Sequence, residues 1–327
     1  MSVLKQAPSH DHSRVIQASG LVRRFGKFVA VDHVDVELVR GEVLGLLGAN
    51  GAGKTTTIRM LCGTLPPTAG QIEVAGVDLV CHARHARSHI GYVSQRFTLY
   101  DDLEVVENLR LQAGLYGVTG KRRHERIQWA LEHLDLAGHE KTMACDLPLG
   151  FKRRLALAAA LLHEPEVLFL DEPTSGVDPA ARQRFWELIY DLADSGIGIL
   201  VTTHYMDEAM FCDRIALMHA GKIIAQDTPA ALMKHPLKSP LLELYAPDCS
   251  RCVQLLQQLP QVIDIVPHAG KLRIRLKPAT DVDAVQQAIR KLATERNVKI
   301  DKLQPAQAEL EDVFIATLET VDEGGGT

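Results

Sequence analysis

The stretch Val43-Leu44-Gly45-Leu46-Leu47-Gly48-Ala49-Asn50-Gly51-Ala52-Gly53-Lys54-Thr55-Thr56 runs from a continuous apolar segment, through a glycine-rich turn, into residues that favour helix. That order is strand, loop, helix. Within it, Gly48 to Thr55 fit G-x-x-x-x-G-K-[ST], a phosphate-binding loop. The glycines let successive main-chain N–H groups close around phosphate oxygens, and a helix starting near Lys54 turns its positive end toward them. Lys54 then brings charge to the β- and γ-phosphates, and Thr55 offers its hydroxyl to Mg2+. An idle glycine turn is the competing reading, and the strand before it and helix after it disfavour that reading.

Outward from this loop, apolar runs recur at Ile90–Val93, Val167–Leu170, Ile197–Val201 and Ile215–Met218, with helical patterns between most of them. The alternation predicts an α/β fold, a P-loop NTPase whose mostly parallel sheet is covered by helices. Upstream, Val34, Val36 and Leu38 alternate with Asp35 and Glu37, so an antiparallel β subdomain is expected there. Helical patterns from about Leu103 to Leu162 are too long for a simple crossover and predict a helical subdomain within about 96–163. Pro229, Pro236 and Pro240 interrupt the pattern, marking a linker at 236–240 after a first domain over 14–235. Beyond it a small α+β domain is expected at 241–321. Its pieces read as a helix (Arg251–Leu259), a strand (Val262–Val266), a strand carrying Leu272, Ile274 and Leu276, a helix (Asp283–Thr294), a short strand near Val298 and Ile300, and a last helix (Glu309–Leu318). Residues 1–13 read as a flexible tail and 322–327 as a disordered one.

Length and composition agree with this reading. A chain of 327 residues accommodates two domains of about 150 each. Apolar residues at 46% and charged residues at 24% exclude a disordered polymer. The net charge of −5 lacks the basic excess of a nucleic-acid binder, so no nucleic acid is expected as partner. The longest apolar run, Leu155–Leu162, falls well short of the roughly 20 residues a membrane-spanning helix needs. The N-terminus lacks the pattern of a secretory signal. Six scattered cysteines suit reduced cytosolic thiols, and the pair Cys249 and Cys252 has no second pair to complete a zinc site.

Val167-Leu168-Phe169-Leu170-Asp171-Glu172 reads as a buried strand ending in two carboxylates. Asp171 is placed to hold Mg2+ through water, and Glu172 to take a proton from an attacking water. The plain alternative is two solvated acids at a strand end. Lys54 and Asp171 lie 117 positions apart, too far for a small kinase or a Ras-like GTPase without an inserted domain, and no N-K-x-D guanine-reading motif is present.

With these motifs in this order, residues from about 15 to 235 resemble the nucleotide-binding subunits of ABC transporters. Gln95, ending Gly91-Tyr92-Val93-Ser94-Gln95, matches the family's glutamine after a strand, which implies that it ligates Mg2+ and senses the membrane partner. Asp178 in Ser175-Gly176-Val177-Asp178 matches the loop that crosses the dimer interface. His204, after Val201-Thr202-Thr203, matches the switch histidine on the γ-phosphate, and Phe25 in Arg24-Phe25-Gly26 the aromatic that stacks on adenine. Arg96-Phe97-Thr98-Leu99-Tyr100-Asp101-Asp102-Leu103, the loop with Thr56 following Thr55, and Leu310-Glu311-Asp312-Val313-Phe314 look like the drug-resistance branch of ABC exporters, the multidrug exporter ATPases of the YbhF type. The resemblance implies ATP and Mg2+ as ligands, an ATPase motor on the cytoplasmic face of a membrane, separate permease subunits, and two copies sandwiching ATP. Its rival is a soluble ABC ATPase whose nucleotide switch controls docking to an assembly such as the ribosome; such proteins usually carry two modules, and one is found here.

The family's Leu-Ser-Gly-Gly signature stands here as Leu147-Pro148-Leu149-Gly150. In the family that segment reaches across the dimer to the partner's γ-phosphate. Pro148 removes a hydroxyl and an N–H, and a lost hydrogen bond to a charged group costs about 1.5–3 kcal/mol. The Gly150 amide and the helix dipole remain. Two readings follow: a weak homodimer, favoured because the YbhF-type resemblance includes this segment, or a heterodimer whose other member supplies the usual signature.

Weaker signals have plain readings. His82, His85 and His89 would share one helical face and so suit Zn2+ or Ni2+, but Arg84 and Arg87 flank them and a solvated helix is expected. Phe97, Leu99 and Tyr100 fall where the resemblance places the permease's cytoplasmic helix, with ordinary packing as the competing reading of each. Lys121, Arg122, Arg123 and Arg126 read as a solvated basic face.

Overall fold

Two long strands, β1 (Arg14–Phe25) and β2 (Phe28–Val39), pair antiparallel in a hairpin that turns at Gly26 and Lys27. The computed structural model describes residues 13–234, 237, 239–268 and 270–324, with 319–324 described by backbone alone. The tail expected over 1–13 therefore lies outside the described residues except for Ser13. By backbone contact the chain divides into two units, Met1–Pro229 and Ala230–Thr327, a division ahead of the linker expected at 236–240.

In the first unit, the hairpin leads into β3 (Val43–Leu47) and α1 (Lys54–Leu61), then β4 (Ala69–Val74), β5 (Val77–Asp78), α2 (Ala83–Arg87) and β6 (Ile90–Val93). The helical stretch consists of α3 (Val105–Leu115), α4 (Gly120–His133), a 3-10 turn at Ala144–Asp146, and α5 (Leu149–Leu161). There follow β7 (Val167–Asp171), α6 (Pro179–Asp194), β8 (Gly198–Thr203), α7 (Met206–Ala209), β9 (Arg214–His219) and β10 (Lys222–Asp227), and the boundary between the units falls in the short α8 (Pro229–Leu232). Six strands form the main sheet in the order β10-β9-β3-β8-β7-β6, parallel throughout except where β10 turns back along β9. Every residue of β3, β7 and β8 is buried. A parallel strand covered on both faces needs a continuous apolar run rather than an alternating one, and that is why these strands stand out in the sequence.

The antiparallel sheet has the order β2-β1-β4-β5. It shares one core with the main sheet, with Val15, Ile16 and Leu38 packed in the same cluster as Leu44, Ile58, Phe169 and Met218. At the start of β8, Gly198 allows this approach: a Cβ there would lie 2.5 Å from Val15 Cγ2 and 3.0 Å from Val39 O.

The second unit runs β11 (Leu241–Tyr245), α9 (Cys249–Leu256), β12 (Val262–His268), β13 (Lys271–Leu276), α10 (Val282–Glu295), β14 (Lys302–Pro305) and α11 (Leu310–Gly324). The strand order is β12-β13-β11-β14, antiparallel at each pairing. A β-α-β-β-α-β run in this order is the ferredoxin-like arrangement. Leu242, Leu244, Leu272 and Ile274 meet Leu255, Leu256, Val285 and Ile289 in its core. The short strand expected near Val298 and Ile300 lies at Lys302–Pro305 instead, because the α10 end turns through Asn297 in a left-handed conformation before the chain extends. The last helix continues through Gly324, past the Leu318 end expected for it and into the stretch expected to be disordered.

Candidate nucleotide site

β3, β7 and β8 all end at one edge of the main sheet, where pairing sets Leu47 beside Thr203 and Asp171 beside Thr202. Ligands of open α/β sheets bind at the carboxyl ends of the strands. The loop leaving β3 is tight by necessity. Gly53 has φ +110°, and a Cβ on it would lie 2.6 Å from Ala30 O and 2.7 Å from Met218 Cε. A Cβ on Gly48 would collide with Met218 O. Ala49, Asn50 and Gly51 form the exposed crest of the loop, while Ala52 is buried beneath it. Gly53 caps α1 without a side-chain bond, so the first-turn amides of Lys54, Thr55 and Thr56 have no intrahelical acceptor.

Lys54 is buried, and its Nζ donates to Gly48 O at 2.7 Å and Ala49 O at 3.1 Å, which draws the ammonium under the loop. Burial lowers the Lys54 pKa from its ordinary value, opposed by the charges of Glu172 and Asp171. Asp171 Oδ1 accepts from Thr202 Oγ1 at 2.7 Å and from Thr55 Oγ1 at 3.3 Å. Thr55, Asp171 and Gln95 carry a hydroxyl, a carboxylate and an amide oxygen, the hard donors that suit Mg2+. The residues therefore fit the metal that the motifs imply.

Glu172 has φ +48°, a left-handed backbone that residues other than glycine seldom adopt. Its N–H donates to Thr202 Oγ1 at 3.0 Å and to Thr202 O at 3.2 Å, which holds the bend. The bend turns the carboxylate toward Gln95, whose Nε2 donates to Glu172 Oε2 at 2.8 Å. His204 Nδ1 stands 3.3 Å from the same oxygen, near enough for an ion pair but out of line for a hydrogen bond. Thus the phosphate loop, Asp171, Glu172, Gln95 and His204 gather at one sheet edge.

The remaining expected residues sit in two further places. Leu147 is buried, Pro148 is the N-cap of α5, and Leu149 is 40% exposed. Leu149 Cδ2 lies 3.4 Å from where a Cβ on Gly176 would stand, and a Cβ on Gly150 would lie 3.3 Å from Ala181 Cβ, so this segment borders the 175–178 loop. There Asp178 caps α6, accepting from the Ala181 N–H at 2.9 Å. Phe25 ends β1 at the hairpin turn, half-exposed, with the Arg23 guanidinium 4.7 Å from its ring centroid. The same hairpin abuts the phosphate loop through Ala30.

Three contributors were not singled out from the sequence. Thr202 bonds both acids. Glu208, buried after His204, accepts from Thr174 Oγ1 and, at 2.7 Å, from Thr203 Oγ1, bracing the strand end beside the histidine. Arg153, buried on α5, donates to Gln95 O at 2.7 Å. The only forewarning for Arg153 was a charge placed inside an apolar helix.

The histidine trio does not form one helical face. α2 ends at Arg87, His82 is its N-cap, and His89 lies beyond it with Nδ1 2.8 Å from Glu166 Oε1. Among the described residues no group of three His, Cys, Asp or Glu side chains is placed to hold a metal ion, and no helix is long and apolar enough to cross a membrane.

A family model described as ABC transporter matches residues 31–175. The "Probable multidrug ABC transporter ATP-binding protein YbhF" of Escherichia coli K12 is 51% identical over 215 residues, 66% of this chain but only 37% of that protein. The "Linearmycin resistance ATP-binding protein LnrL" of Bacillus subtilis 168 is 33% identical over 303 residues, 92% of this chain and 97% of LnrL. Among solved structures, cbiO1 from Clostridium perfringens, part of the ABC transporter complex cbiONQ, aligns with a TM-score of 0.64 at 25% identity, over 76% of this chain and 96% of that one. A relative matched along nearly its whole length at one-third identity fixes the kinship: this chain belongs to the ABC transporter ATP-binding proteins.

Proposed function

We propose that this protein is the ATP-hydrolysing motor subunit of an exporter, acting on the cytoplasmic face of a membrane with separate permease subunits, in multidrug or related efflux. The observation that carries this reading is the juxtaposition at the sheet edge: a buried Lys54 under a glycine loop, Asp171 bonded to Thr55, and Glu172 turned toward Gln95 and His204. Loop amides from Gly48 to Thr56 and the Lys54 ammonium grip the β- and γ-phosphates of ATP. Thr55, Gln95 and Asp171 hold Mg2+, which when bound supplies charge neutralisation on the phosphate oxygens. Glu172 takes the proton from the attacking water, and His204 holds the γ-phosphate. Phe25 offers its free face to adenine, since Arg23 backs the other.

Two copies sandwich two ATP, each Leu147-Pro148-Leu149-Gly150 segment and Asp178 loop reaching the other subunit; a homodimer is favoured over pairing with a different ATPase domain. The relatives' names speak of multidrug transport and linearmycin resistance, which supports a permease rather than a ribosome as partner. The domain plan that goes with this reading is a nucleotide-binding domain over 14–235 and an accessory α+β domain over 241–321. Purification of the native complex tests the proposal. An integral membrane protein that co-elutes and raises MgATP turnover is expected, whereas a chain that takes up no MgATP at millimolar concentration refutes the motor reading.

A further inference from the structure

Arg153 is 6% exposed, and its charge is met by no carboxylate within ion-pair distance among the described residues. Its Nη1 donates to Gln95 O at 2.7 Å and to Ser94 O at 3.3 Å, while its Nε has no partner. Burial lowers its pKa, and the charge of Glu172 opposes that shift. A guanidinium held this way is a poor stabiliser, because desolvating a cation costs more than two carbonyl contacts return. An apolar side chain of like volume fills such a place at less cost. The position of Arg153 suggests why the charge is there: it sits on the first turns of α5, just after the Pro148-Leu149-Gly150 segment, and grips the main chain of the residue whose side chain bonds Glu172.

We propose that Arg153 is a positioning residue that fixes the Gln95 backbone to α5, so that the Mg2+-ligating amide and the signature segment keep one geometry. The inference rests on the nucleotide reading above. One terminal nitrogen, Nη1, reaches both carbonyls, and the lysine side chain, one atom shorter, brings its ammonium less close to them. Holding Ser94 O and Gln95 O fixes the peptide from which the Gln95 side chain reaches. When α5 shifts, the Gln95 amide shifts with it.

The test uses the full chain as wild type, Arg153→Met and Arg153→Lys. Binding of ATP in EDTA, followed with a fluorescent nucleotide, is expected to stay within about twofold for all three. The gain in affinity on adding Mg2+ falls about tenfold or more in Arg153→Met, as does kcat, at the scale of one lost charge-assisted hydrogen bond, with KM little changed. Arg153→Lys recovers part of both, and the melting temperature of Arg153→Met is unchanged or higher. A wild-type Mg2+ response in Arg153→Met overturns the proposal. So does a loss of activity that follows a fall in melting temperature, which would make Arg153 merely structural. If Arg153→Met does not fold, a wild-type Mg2+ response in Arg153→Lys overturns the proposal equally. Failure of the wild-type chain to bind nucleotide at all is a different result, for it removes the motor reading itself.

Discussion

Glu172 combines two properties that one residue seldom has: a left-handed backbone and a carboxylate that faces both an amide and an imidazole. Replacing it by Gln keeps the size and the hydrogen bond to Gln95 but removes the base. Turnover should fall at least about 100-fold with MgATP affinity retained, measured by phosphate release and equilibrium binding. Gly53 carries a different kind of constraint. Gly53→Ala must hold an L side chain at φ +110° and push Ala30 O away, so a loss of more than about 2 kcal/mol in urea unfolding is expected. At this scale the sequence was most informative where a backbone shape demands a residue type, as in the 48–55 loop. It was silent where a common residue gains importance only from its neighbours. Thr202 is one of several threonines until the register of β7 and β8 sets it beside both acids.

Among elements, the strands buried on both faces were legible because their whole length is apolar. β1 was not, since its pairing shifts register several times and Val15 and Ile16 are both buried, which erases the period of two. β11 was missed for a related reason: Leu241, Leu242, Glu243 and Leu244 are all buried, Glu243 by accepting from Lys271. That pair has a pH signature. Lys271 beside Glu243 holds its carboxyl below the usual carboxylate range. The resulting stability is therefore full above the unfolded carboxyl's value of about 4.3 and is lost as pH falls through the lower folded one. Glu243→Gln should flatten this acid limb, read from hydrogen exchange of the β11 amides in the full chain. At the start of α5, the double change Pro148→Ser with Leu149→Gly introduces a hydroxyl and an N–H in the segment proposed to reach a second subunit. ATPase activity should rise about tenfold or more, and unchanged turnover removes the importance of these donors.

For the whole molecule, the sequence located the P-loop fold and the order of its motifs, since each motif is local. It did not foresee how the antiparallel sheet is seated or the ferredoxin-like order of the second unit, because both depend on pairings between strands far apart in the chain. If two copies close around ATP, Glu172→Gln with MgATP should sediment as a dimer and wild type with ADP as a monomer; a monomer in both states argues against the homodimer.

The missing side chain at Gly198 has a final consequence. β8 touches the Phe25-bearing hairpin's sheet at that glycine and, six residues on, hands the chain to His204. One strand therefore ties the open end of that hairpin, at Val15 and Val39, to the place where His204 stands beside Glu172. A bulky residue at 198 would lift that strand from its seat like a misplaced fulcrum, shifting Thr202 and His204 together, although it touches neither.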